Sequence, residues 1–291
     1  MRVLILGHKG NLGSQLYKKF IQDKSFNLIG LDKEDLDVLD FKLLFSKINE
    51  IKPNIIINTV AYNNVDECER ETGYKMAEKL NIDLVENLVK LAQKHDAILV
   101  HYSTDYVFGG GDINAARENN GFRETDKPNP INKYGETKMR GEGKILEKKE
   151  NLKFYLIRPS KLFGPKGESE ISKPSFFEII LNLATKKDAI DVIDEEESCF
   201  TYTPDLAEAT FELIKEKYSY GIYHLINEGS ATWYGGARAL FQARNIKTKI
   251  NPCSSLKFSR LAKRPEYSVL ANTKFRQLRN FLDSISDFRF S

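Results

Sequence analysis

One tyrosine and one lysine have a spacing that suits proton transfer to a carbonyl compound. Of the thirteen tyrosines in the sequence, only Tyr134 has a lysine four residues later, Lys138. Residues four apart share one face of a helix, and a neighbouring ammonium lowers the pKa of a phenol from its usual value of about 10. Tyr134 could then protonate the alkoxide that forms from a ketone, and Lys138 could also hydrogen-bond the ribose of a nicotinamide cofactor. The pair alone is equally compatible with an exposed helix in a lysine-rich chain.

Hydroxyl groups that could orient such a carbonyl follow a predicted strand. Residues 97–102 are mostly apolar, and Ser103 and Thr104 come directly after them. In a doubly wound parallel sheet the carboxyl ends of the strands face the ligand crevice, so these hydroxyls would lie where a substrate binds. The alternative is a hydroxyl that only caps a turn, which is common.

Three glycines connect the first predicted strand, residues 3–6, to the first predicted helix, residues 12–21. Gly7, Gly10 and Gly13 form a G-x-x-G-x-x-G pattern. A strand that enters a helix through glycines leaves backbone N–H groups exposed at the positive end of the helix, where a pyrophosphate can bind. The spacing resembles that of short-chain dehydrogenase/reductase enzymes. The alternative explanation is a tight turn with close packing.

Asp32, at the end of the second predicted strand, bears on the choice of dinucleotide. A carboxylate at this position accepts hydrogen bonds from the adenosine ribose, which favours NAD. Lys33 beside it could instead contact a 2′-phosphate, which favours NADP. Since the two residues favour different cofactors, we expect both NADPH and NADH to bind, with a preference for NADPH.

Predicted strands and helices alternate through the first half of the chain. This order is typical of a parallel sheet with helices on both faces, and the Ile-Ile-Ile run at residues 55–57 suits a strand buried on both sides. A polar segment rich in Gly, Asn, Asp and Pro lies between residues 109 and 132. The predicted strands are 3–6, 27–31, 54–60, 97–102 and 153–157, and the predicted helices are 12–21, 41–51, 73–94 and 134–150.

The alternation ends near Pro159, where a second unit is predicted to begin. Residues 175–185, 206–216 and 233–244 are predicted helices, and residues 221–226 are a predicted strand. We therefore predict an α/β protein with a Rossmann-like, doubly wound parallel sheet and a smaller α+β substrate-binding lobe. The NAD(P)-binding Rossmann domain would comprise residues 1–158, joined by 205–226. The discontinuous substrate-binding lobe would comprise mainly residues 159–291.

Composition and charge exclude several other classes of protein. The sequence has 291 residues, of which 41% are hydrophobic, so it can bury a core, and its net charge of +3 does not suggest a nucleic-acid-binding protein. No apolar run is long enough to span a membrane, and the N-terminus lacks the features of a signal peptide. Three widely spaced cysteines indicate neither a metal site nor disulfides. A cytoplasmic protein is therefore expected.

Longer motifs resemble those of one family, the dTDP-4-dehydrorhamnose reductases. Residues 103–109, STDYVFG, are similar to its S-T-D-Y-V-F-x-G signature, and residues 61–69, AYNNVDECE, are similar to A-Y-T-x-V-D-x-x-E. Residues 124–142 match E-x-D-x-x-x-P-x-x-x-Y-G-x-x-K-x-x-G-E, which contains Tyr134 and Lys138. Looser similarities follow at residues 158–160, 221–224, 230–233 and 264–268.

The resemblance implies an activity and assigns roles to individual residues. Members of the family reduce the C4 ketone of a dTDP-linked 6-deoxy-4-keto sugar, the last step to dTDP-L-rhamnose, and typically use NADPH. Thr104, Tyr134 and Lys138 would form the catalytic set, and Thr104 and Asp105 would contact the sugar. Besides Gly7, Tyr134 and Lys138, the residues implied to contact the cofactor are Gly10, Asn11, Leu12, Asp32, Asp37, Val38, Val60, Ala61, Tyr62 and Tyr102.

Two departures from the family pattern lie in the half of the chain that is expected to bind substrate. Lys161 stands where the family usually has a tryptophan that faces the substrate, and residues 198–203 lack the family's Gln, Gly and Pro. A lysine that faces the crevice would favour a charged group such as a diphosphate, whereas one that turns outward would lie in solvent. Lys161 is therefore a third candidate for substrate binding.

These departures leave the substrate open. One alternative is a reductase of a different nucleotide-linked keto sugar, of the deoxytalose or amino-deoxysugar type. Another is a non-catalytic, NAD(P)-binding regulatory subunit, because a shared fold does not fix the function. The expected partners are a nucleotide-sugar substrate and a second copy of the chain in a homodimer. No nucleic acid, membrane or resident metal is expected.

Overall fold

A computed structural model describes residues 1–169 and 172–288. Its strands are, in chain order, β1 (Arg2–Leu6), β2 (Asn27–Leu31), β3 (Ile55–Asn58), β4 (Ile98–Tyr102), β5 (Phe154–Arg158), β6 (Leu162–Phe163), β7 (Ala189–Ile193), β8 (Ser198–Cys199), β9 (Thr201–Tyr202), β10 (Gly221–His224), β11 (Asn227–Glu228), β12 (Ser230–Ala231), β13 (Lys249–Cys253) and β14 (Leu278–Asn280). Its helices are α1 (Asn11–Phe20), α2 (Phe41–Ile51), α3 (Glu71–Glu78), α4 (Leu84–Lys94), α5 (Ile113–Glu118), α6 (Lys133–Leu146), α7 (Phe176–Ala184), α8 (Thr203–Lys215), α9 (Trp233–Arg244) and α10 (Phe281–Asp287). None of the helices in these ranges has the length and apolar character needed to cross a membrane.

Six strands form one parallel sheet in the described part of the chain. Their order across the sheet is β10-β5-β4-β3-β1-β2. From β1 the chain adds β2 on one side and then β3, β4 and β5 on the other, so the direction of growth reverses between β1 and β3. Ligands of open parallel sheets bind near such a reversal, outside the carboxyl ends of the strands.

Helices cover both faces of this sheet because its strands carry apolar side chains on both sides. In β1, Val3 and Ile5 pack into one core with α1 and α8. Leu4 and Leu6 alternate with them and pack into a second core with α2, α4 and the end of α6. The doubly wound parallel sheet predicted from the sequence is therefore confirmed.

The last strand of the sheet comes from the second half of the chain. β10 pairs in parallel with β5, and α8 packs beside α1. The backbone thus returns to the sheet close to residues 205–226, the segment that the sequence predicts to rejoin it. Strand pairing does not define a domain boundary, so the division at residues 158 and 159 stays a prediction.

The remaining elements form a smaller mixed unit with its own core. β7 pairs in parallel with β13, and two short pairs, β6 with β9 and β8 with β12, lie nearby in the chain. Aromatic rings fill much of this core; Phe177 stacks on Phe200 with ring centroids 5.1 Å apart. Stacked and edge-on aromatic pairs of this kind add stability beyond the area that they bury.

The structure differs from the predicted elements in several places, and the prediction also lacks α10 and the short strands β6, β8, β9, β11, β12 and β14. The predicted helix 73–94 is α3 and α4 joined by a π-helical turn, Lys79–Asp83. The predicted loop contains α5, which begins where the Asp112 side chain accepts a hydrogen bond from Ala115 N at 3.0 Å. β7 and β13 are absent from the prediction because neither has a clear apolar pattern: β7 contains Asp191, and β13 contains Pro252.

Candidate functional site

Thr104, Tyr134 and Lys138 come together at the carboxyl edge of the sheet. Thr104 lies just beyond the end of β4, and Tyr134 and Lys138 lie one turn apart on α6. Thr104 and Tyr134 line the same cavity, and Lys138 donates a hydrogen bond from Nζ to Tyr102 O, at the end of β4, at 2.6 Å. The three residues that the sequence assigns to catalysis are thus neighbours, although they come from two separate elements.

Side-chain hydrogen bonds fix the start of α6 beside this edge. Asn132 caps the helix, because its Oδ1 accepts a hydrogen bond from Gly135 N at 2.8 Å. Its Nδ2 also donates to Lys263 O at 2.9 Å, which connects the helix to the smaller unit. One turn later, Thr137 Oγ1 accepts a hydrogen bond from the buried Asn81 at 3.0 Å. Tyr134 therefore projects from a helix that is held on two sides.

The surroundings of Tyr134 keep its phenol protonated. Burial raises the pKa of Tyr134 above its ordinary value, and the nearby carboxylate of Asp105 raises it further. The Thr104 hydroxyl, within hydrogen-bonding reach of the phenol, opposes this rise. The expected lowering of the pKa by Lys138 is not found, because that ammonium is directed to the carbonyl of Tyr102. A protonated phenol is the form that can act as an acid.

Lys138 is almost completely buried and lies among polar groups of β4 and α6. Its Nζ is 3.5 Å from His101 Nε2, besides the 2.6 Å hydrogen bond to Tyr102 O. Burial lowers the pKa of Lys138 to about 8, and the carboxylate of Glu142, one turn further along α6, partly opposes this effect. Lys138 is therefore easier to deprotonate than an exposed lysine.

The glycine turn has the geometry of a phosphate-binding turn. Gly7 has a φ of +79°, and a Cβ at position 13 would lie 2.1 Å from Gly7 O. Both positions therefore require glycine for conformational or steric reasons. The N-cap of α1 is Gly10, which has no side chain that could cap the helix. The backbone N–H groups of Asn11 and Leu12 lie at this positive end of the helix, where an anion is stabilised.

A segment from the second half of the chain crosses this turn. We call residues 167–169 and 172–173 the crossing segment. Asn11 Oδ1 accepts a hydrogen bond from Gly167 N at 2.8 Å, and its Nδ2 donates to Lys173 O at 2.8 Å. Ser169 N donates to Lys9 O at 3.0 Å. A Cβ on Gly167 would lie 2.7 Å from Asn11 N, so the crossing backbone lies directly against the start of α1.

Residues at the end of β2 present mainly carboxylates. Asp32 is buried beside the glycine turn, and its Oδ2 accepts a hydrogen bond from Lys9 N at 3.0 Å. Lys9 forms an ion pair with Glu34, while Lys33 is exposed. Further on, Asp37 is exposed, and Val38 packs at the edge of the core. This composition suits ribose hydroxyls, and Lys33 is free to reach a 2′-phosphate.

The other residues assigned to the cofactor lie along the ends of β3 and β4. Val60, Ala61 and Tyr62 are partly exposed, and a Cβ on Gly7 would lie 3.2 Å from Val60 Cγ2. Tyr102 is placed differently: its phenol lies 2.8 Å from Thr210 Oγ1 inside the core. Only the backbone carbonyl of Tyr102 takes part in the candidate site.

A cavity of about 200 Å³ adjoins Thr104 and Tyr134. Asp105 and Lys161, the two other residues assigned to the sugar, also line it, together with Trp233. Asp105 is buried, and its Oδ2 accepts a hydrogen bond from Ser268 Oγ at 2.6 Å. Burial raises the pKa of Asp105 from its ordinary value.

Lys161 faces inward, where two carbonyl groups and two aromatic rings hold its ammonium. Nζ donates hydrogen bonds to Glu196 O at 2.9 Å and to Ala231 O at 3.2 Å. It also lies 4.2 Å from the ring centroid of Trp233 and 5.0 Å from that of Phe200. Trp233 thereby supplies an aromatic surface to the cavity that Lys161 lines. The altered run 198–203 forms β8, β9 and the start of α8 behind it.

Several residues of the site have no role in the sequence prediction. Asn81, from the π-helical turn, accepts a hydrogen bond from Tyr62 N at 2.9 Å and so positions the segment after β3. His101 and Asn58 lie behind Lys138, and Trp233 lines the cavity beside Thr104 and Tyr134. The sequence does contain signals for two of these residues. Trp233 is the one tryptophan in the sequence, and Asn58 is the first polar residue after the buried Ile-Ile-Ile run, at the end of a predicted strand.

Comparisons with known proteins agree with this geometry. The family model described as RmlD substrate binding domain matches residues 1–289. A dTDP-4-dehydrorhamnose reductase of Aggregatibacter actinomycetemcomitans is 32% identical over 287 residues, which cover 95% of this chain and 92% of that protein. A crystal structure of a dTDP-4-dehydrorhamnose reductase from Clostridium acetobutylicum is 33% identical, with a TM-score of 0.87 and coverage of 99% and 98%. The Bacillus anthracis dTDP-4-dehydrorhamnose reductase, solved in complex with NADP, is 31% identical, with a TM-score of 0.88 and the same coverage. This chain therefore belongs to the dTDP-4-dehydrorhamnose reductase family.

Proposed function

We propose that this protein catalyses the NAD(P)H-dependent reduction of the C4 ketone of a nucleotide-linked 6-deoxy-4-keto sugar, as in the last step to dTDP-L-rhamnose. The observation that carries the proposal is the convergence of Thr104, Tyr134 and Lys138 at the same carboxyl edge of the sheet as the glycine turn, in a chain of this family. A non-catalytic subunit would not require these three groups to lie together.

The residues around the glycine turn fit a dinucleotide. The turn leaves no space for a Cβ at Gly13, and the backbone N–H groups of Asn11 and Leu12 would hold the pyrophosphate once the crossing segment, which lies against Asn11 N, moves aside. Asp32 would accept hydrogen bonds from the adenosine ribose, and Val60 would lie beside the cofactor. When bound, NAD(P)H supplies the hydride for the carbonyl carbon.

Tyr134 would supply the proton. Its phenol is protonated because burial raises its pKa, and it faces the cavity together with the Thr104 hydroxyl. Thr104 would donate a hydrogen bond to the carbonyl oxygen, and the Tyr134 O–H would transfer its proton to that oxygen as negative charge develops on it. Lys138, anchored on the carbonyl of Tyr102, would hold the cofactor ribose in place. Solvent then returns a proton to the phenolate.

A nucleotide needs more room than the sugar cavity offers, and a neighbouring groove of about 780 Å³ provides it. The two spaces share a wall, because Trp233 lines the cavity and donates a hydrogen bond to Glu196, which lines the groove, at 3.0 Å. Lys263 lines the groove and would be available to a diphosphate, whereas Arg260 and Arg264 are paired with Glu196 and Asp66 and would have to exchange those carboxylates for it. We place the nucleotide in this groove.

Lys161 favours a second candidate, the same reaction on a different sugar. Its ammonium lines the sugar cavity beside Asp105, where the family pattern has an aromatic residue. A buried cation with a third N–H donor suits a substrate that carries an additional acceptor, such as a carboxylate or an acylated amine. The nucleotide-sugar class is unchanged by this alternative.

A panel of nucleotide-linked keto sugars, assayed with NADPH and NADH, tests both candidates. We expect oxidation of either cofactor with a 4-keto-6-deoxy sugar, and kcat/KM ranks the sugars. The absence of oxidation with every member of the panel would contradict the proposed function. A higher kcat/KM for a sugar with an extra acceptor would favour the second candidate.

Tyr134→Phe tests the proton donor. We expect it to keep cofactor binding and to lose about 10²- to 10⁴-fold in kcat, the usual contribution of a general acid. The matched control is Tyr220→Phe, which removes a hydroxyl from an exposed tyrosine outside the cavity. If kcat of Tyr134→Phe stays near that of the control, Tyr134 is not the donor.

A further inference from the structure

Two buried polar residues that the proposed mechanism does not use lie behind Lys138. Asn58 ends β3, and His101 lies opposite it in β4; each is 1% exposed. Asn58 Nδ2 is 3.1 Å from His101 Nδ1, and His101 Nε2 is 3.5 Å from Lys138 Nζ. Three side chains therefore form a continuous polar row from β3 to α6. Buried polar groups in such rows have defined donor and acceptor roles, because an unpaired member is destabilising.

A backbone N–H group fixes the orientation of the Asn58 amide. Val60 N donates to Asn58 Oδ1 at 3.1 Å. An N–H group cannot accept a hydrogen bond, so the oxygen of the amide must face Val60 and its NH₂ group must face His101. Nδ1 of His101 is then the acceptor. A neutral imidazole in this arrangement carries its hydrogen on Nε2.

His101 therefore presents an N–H donor to Lys138. Burial and the adjacent ammonium hold the pKa of His101 well below its ordinary value, so its ring is neutral. A neutral amine at Lys138 could accept a hydrogen bond from Nε2–H, whereas an ammonium has no lone pair to offer. The carbonyl of Tyr102 can accept from Nζ in either state.

The charged groups nearest to Lys138, apart from the row itself, are an ion pair. Glu142 lies one turn further along α6, and its carboxylate accepts two hydrogen bonds from Arg158 of β5, at 2.9 and 2.6 Å. Arg158 offsets part of the charge of Glu142, whose remaining effect on Lys138 is to favour the ammonium. The side chain of β4 that faces Nζ is His101. Tyr102 contributes its carbonyl, since its phenol is engaged with Thr210.

We propose that Asn58 and His101 are positioning residues that act through Lys138: they hold Nζ at the carbonyl of Tyr102 and favour the neutral amine over the ammonium. The proposal rests on the proposed function, because it assigns a proton-dependent role to a residue of that site. Its consequence is that a residue of β3, which reaches Lys138 through His101, influences the charge of Lys138.

The first experiment needs no substitution and no substrate. The chain has four histidines, so nitrogen-15 NMR of the imidazole rings of the whole protein gives few signals to assign. We expect His101 to be neutral across the neutral range, with the hydrogen on Nε2 and an unprotonated Nδ1. A hydrogen on Nδ1, or a protonated ring, would overturn the proposal.

Asn58→Asp reverses the hydrogen-bond order in the row. A carboxylate cannot donate to Nδ1, so the imidazole must place its hydrogen there, and the lone pair of Nε2 then faces Lys138. We expect the NMR titration midpoint of Lys138 and the alkaline limb of kcat/KM to rise together by about one pH unit or more. Asn54→Asp is the control, because it adds the same charge at the exposed start of β3, where Asn54 accepts from Arg2 N at 2.8 Å.

The results for His101→Leu, taken together with those for Asn58→Asp, distinguish a positioning role of His101 from a purely structural one. His101→Leu removes the N–H that faces Lys138; we expect the alkaline limb to rise here as well, whereas a purely structural role lowers stability and leaves the limb unmoved. An unmoved limb in both variants, with the tautomer reversed in Asn58→Asp, would overturn the proposal. If the wild type reduces no keto sugar, the proposed function fails, yet the tautomer and the Lys138 titration still judge this inference on their own.

Discussion

Replacing Gly13 with alanine tests whether the turn between β1 and α1 holds a dinucleotide. The new Cβ would lie 2.1 Å from Gly7 O and 2.9 Å from the Cα of His8. These are backbone atoms, so no side-chain rotation can relieve the overlap. Since nonbonded heavy atoms prefer roughly 3.5 Å, the start of α1 must move away by about 1 Å.

The size of the effect follows from this displacement. Overpacking of a tight site costs about 1–3 kcal/mol of stability. The same shift moves the N–H groups of Asn11 and Leu12 away from a phosphate, and a hydrogen bond to a charged group contributes about 1.5–3 kcal/mol. The loss of one such bond weakens binding by about 10- to 100-fold. Gly13→Ala should therefore raise the Kd for NADPH and NADH by that factor and lower the urea midpoint.

Two other glycines provide matched controls. A Cβ on Gly10 would meet Gly7 O at 3.2 Å, so Gly10→Ala requires a shift of only a few tenths of an ångström and should weaken binding less. Gly143 lies within α6, and apart from its own helix backbone and chain neighbours no atom of the described residues lies within 4 Å of its Cβ position, so Gly143→Ala should stabilise the helix by up to ~1 kcal/mol. Calorimetric titration with each dinucleotide and urea unfolding give the two quantities. If Gly13→Ala lowers stability but leaves both Kd values unchanged, the turn serves packing and not phosphate binding.

Two further predictions concern buried charges. Lys161→Met should flatten the pH dependence of stability, because burial lowers the pKa of Lys161 in the folded protein to about 8. Between pH 8 and the ordinary pKa of lysine the unfolded chain binds more protons than the folded one, so the wild type gains stability relative to the variant as pH rises through that window. If the urea midpoints of the two proteins change in parallel with pH, Lys161 does not titrate abnormally. Glu142→Gln should destabilise the protein by about 3–5 kcal/mol, because it leaves the 1% exposed Arg158 without its bidentate partner. Glu147→Gln, at the exposed end of the same helix, is the control and should have little effect. Equal urea midpoints for the two variants would contradict this account of the Glu142–Arg158 pair.

Short-range patterns predicted much of the fold and the local placement of the candidate cofactor-binding glycines and of Tyr134 and Lys138. Gly7, Gly10 and Gly13 lie between a strand and a helix, and Tyr134 and Lys138 lie one turn apart on a helix, so local spacing is sufficient to identify both features. The order of strands and helices likewise predicts the parallel sheet. In each case the information lies within a few residues of sequence or in the order of elements.

The contacts of the site depend on pairings that spacing does not contain. Lys138 is directed to Tyr102 O and His101 because β4 ends beside α6, so the predicted effect on the pKa of Tyr134 is not found. Lys161 meets Ala231 through a contact between residues 70 positions apart. Predicting such contacts requires the register of the short strands β6, β8, β9 and β12, and two residues are too few to show an alternation of apolar and polar side chains.

The crossing segment belongs to the second half of the chain, but it contacts the proposed cofactor-binding turn in the first half. It follows Lys161 and β6 in the chain, and it donates to Asn11 and Lys9 at the start of α1. A dinucleotide at that helix terminus would contact or displace this backbone, which would couple the glycine turn to Lys161 and the cavity that it lines. Thermodynamic linkage requires any such coupling to be reciprocal: the factor by which the dinucleotide alters the affinity for sugar equals the factor by which the sugar alters the affinity for dinucleotide.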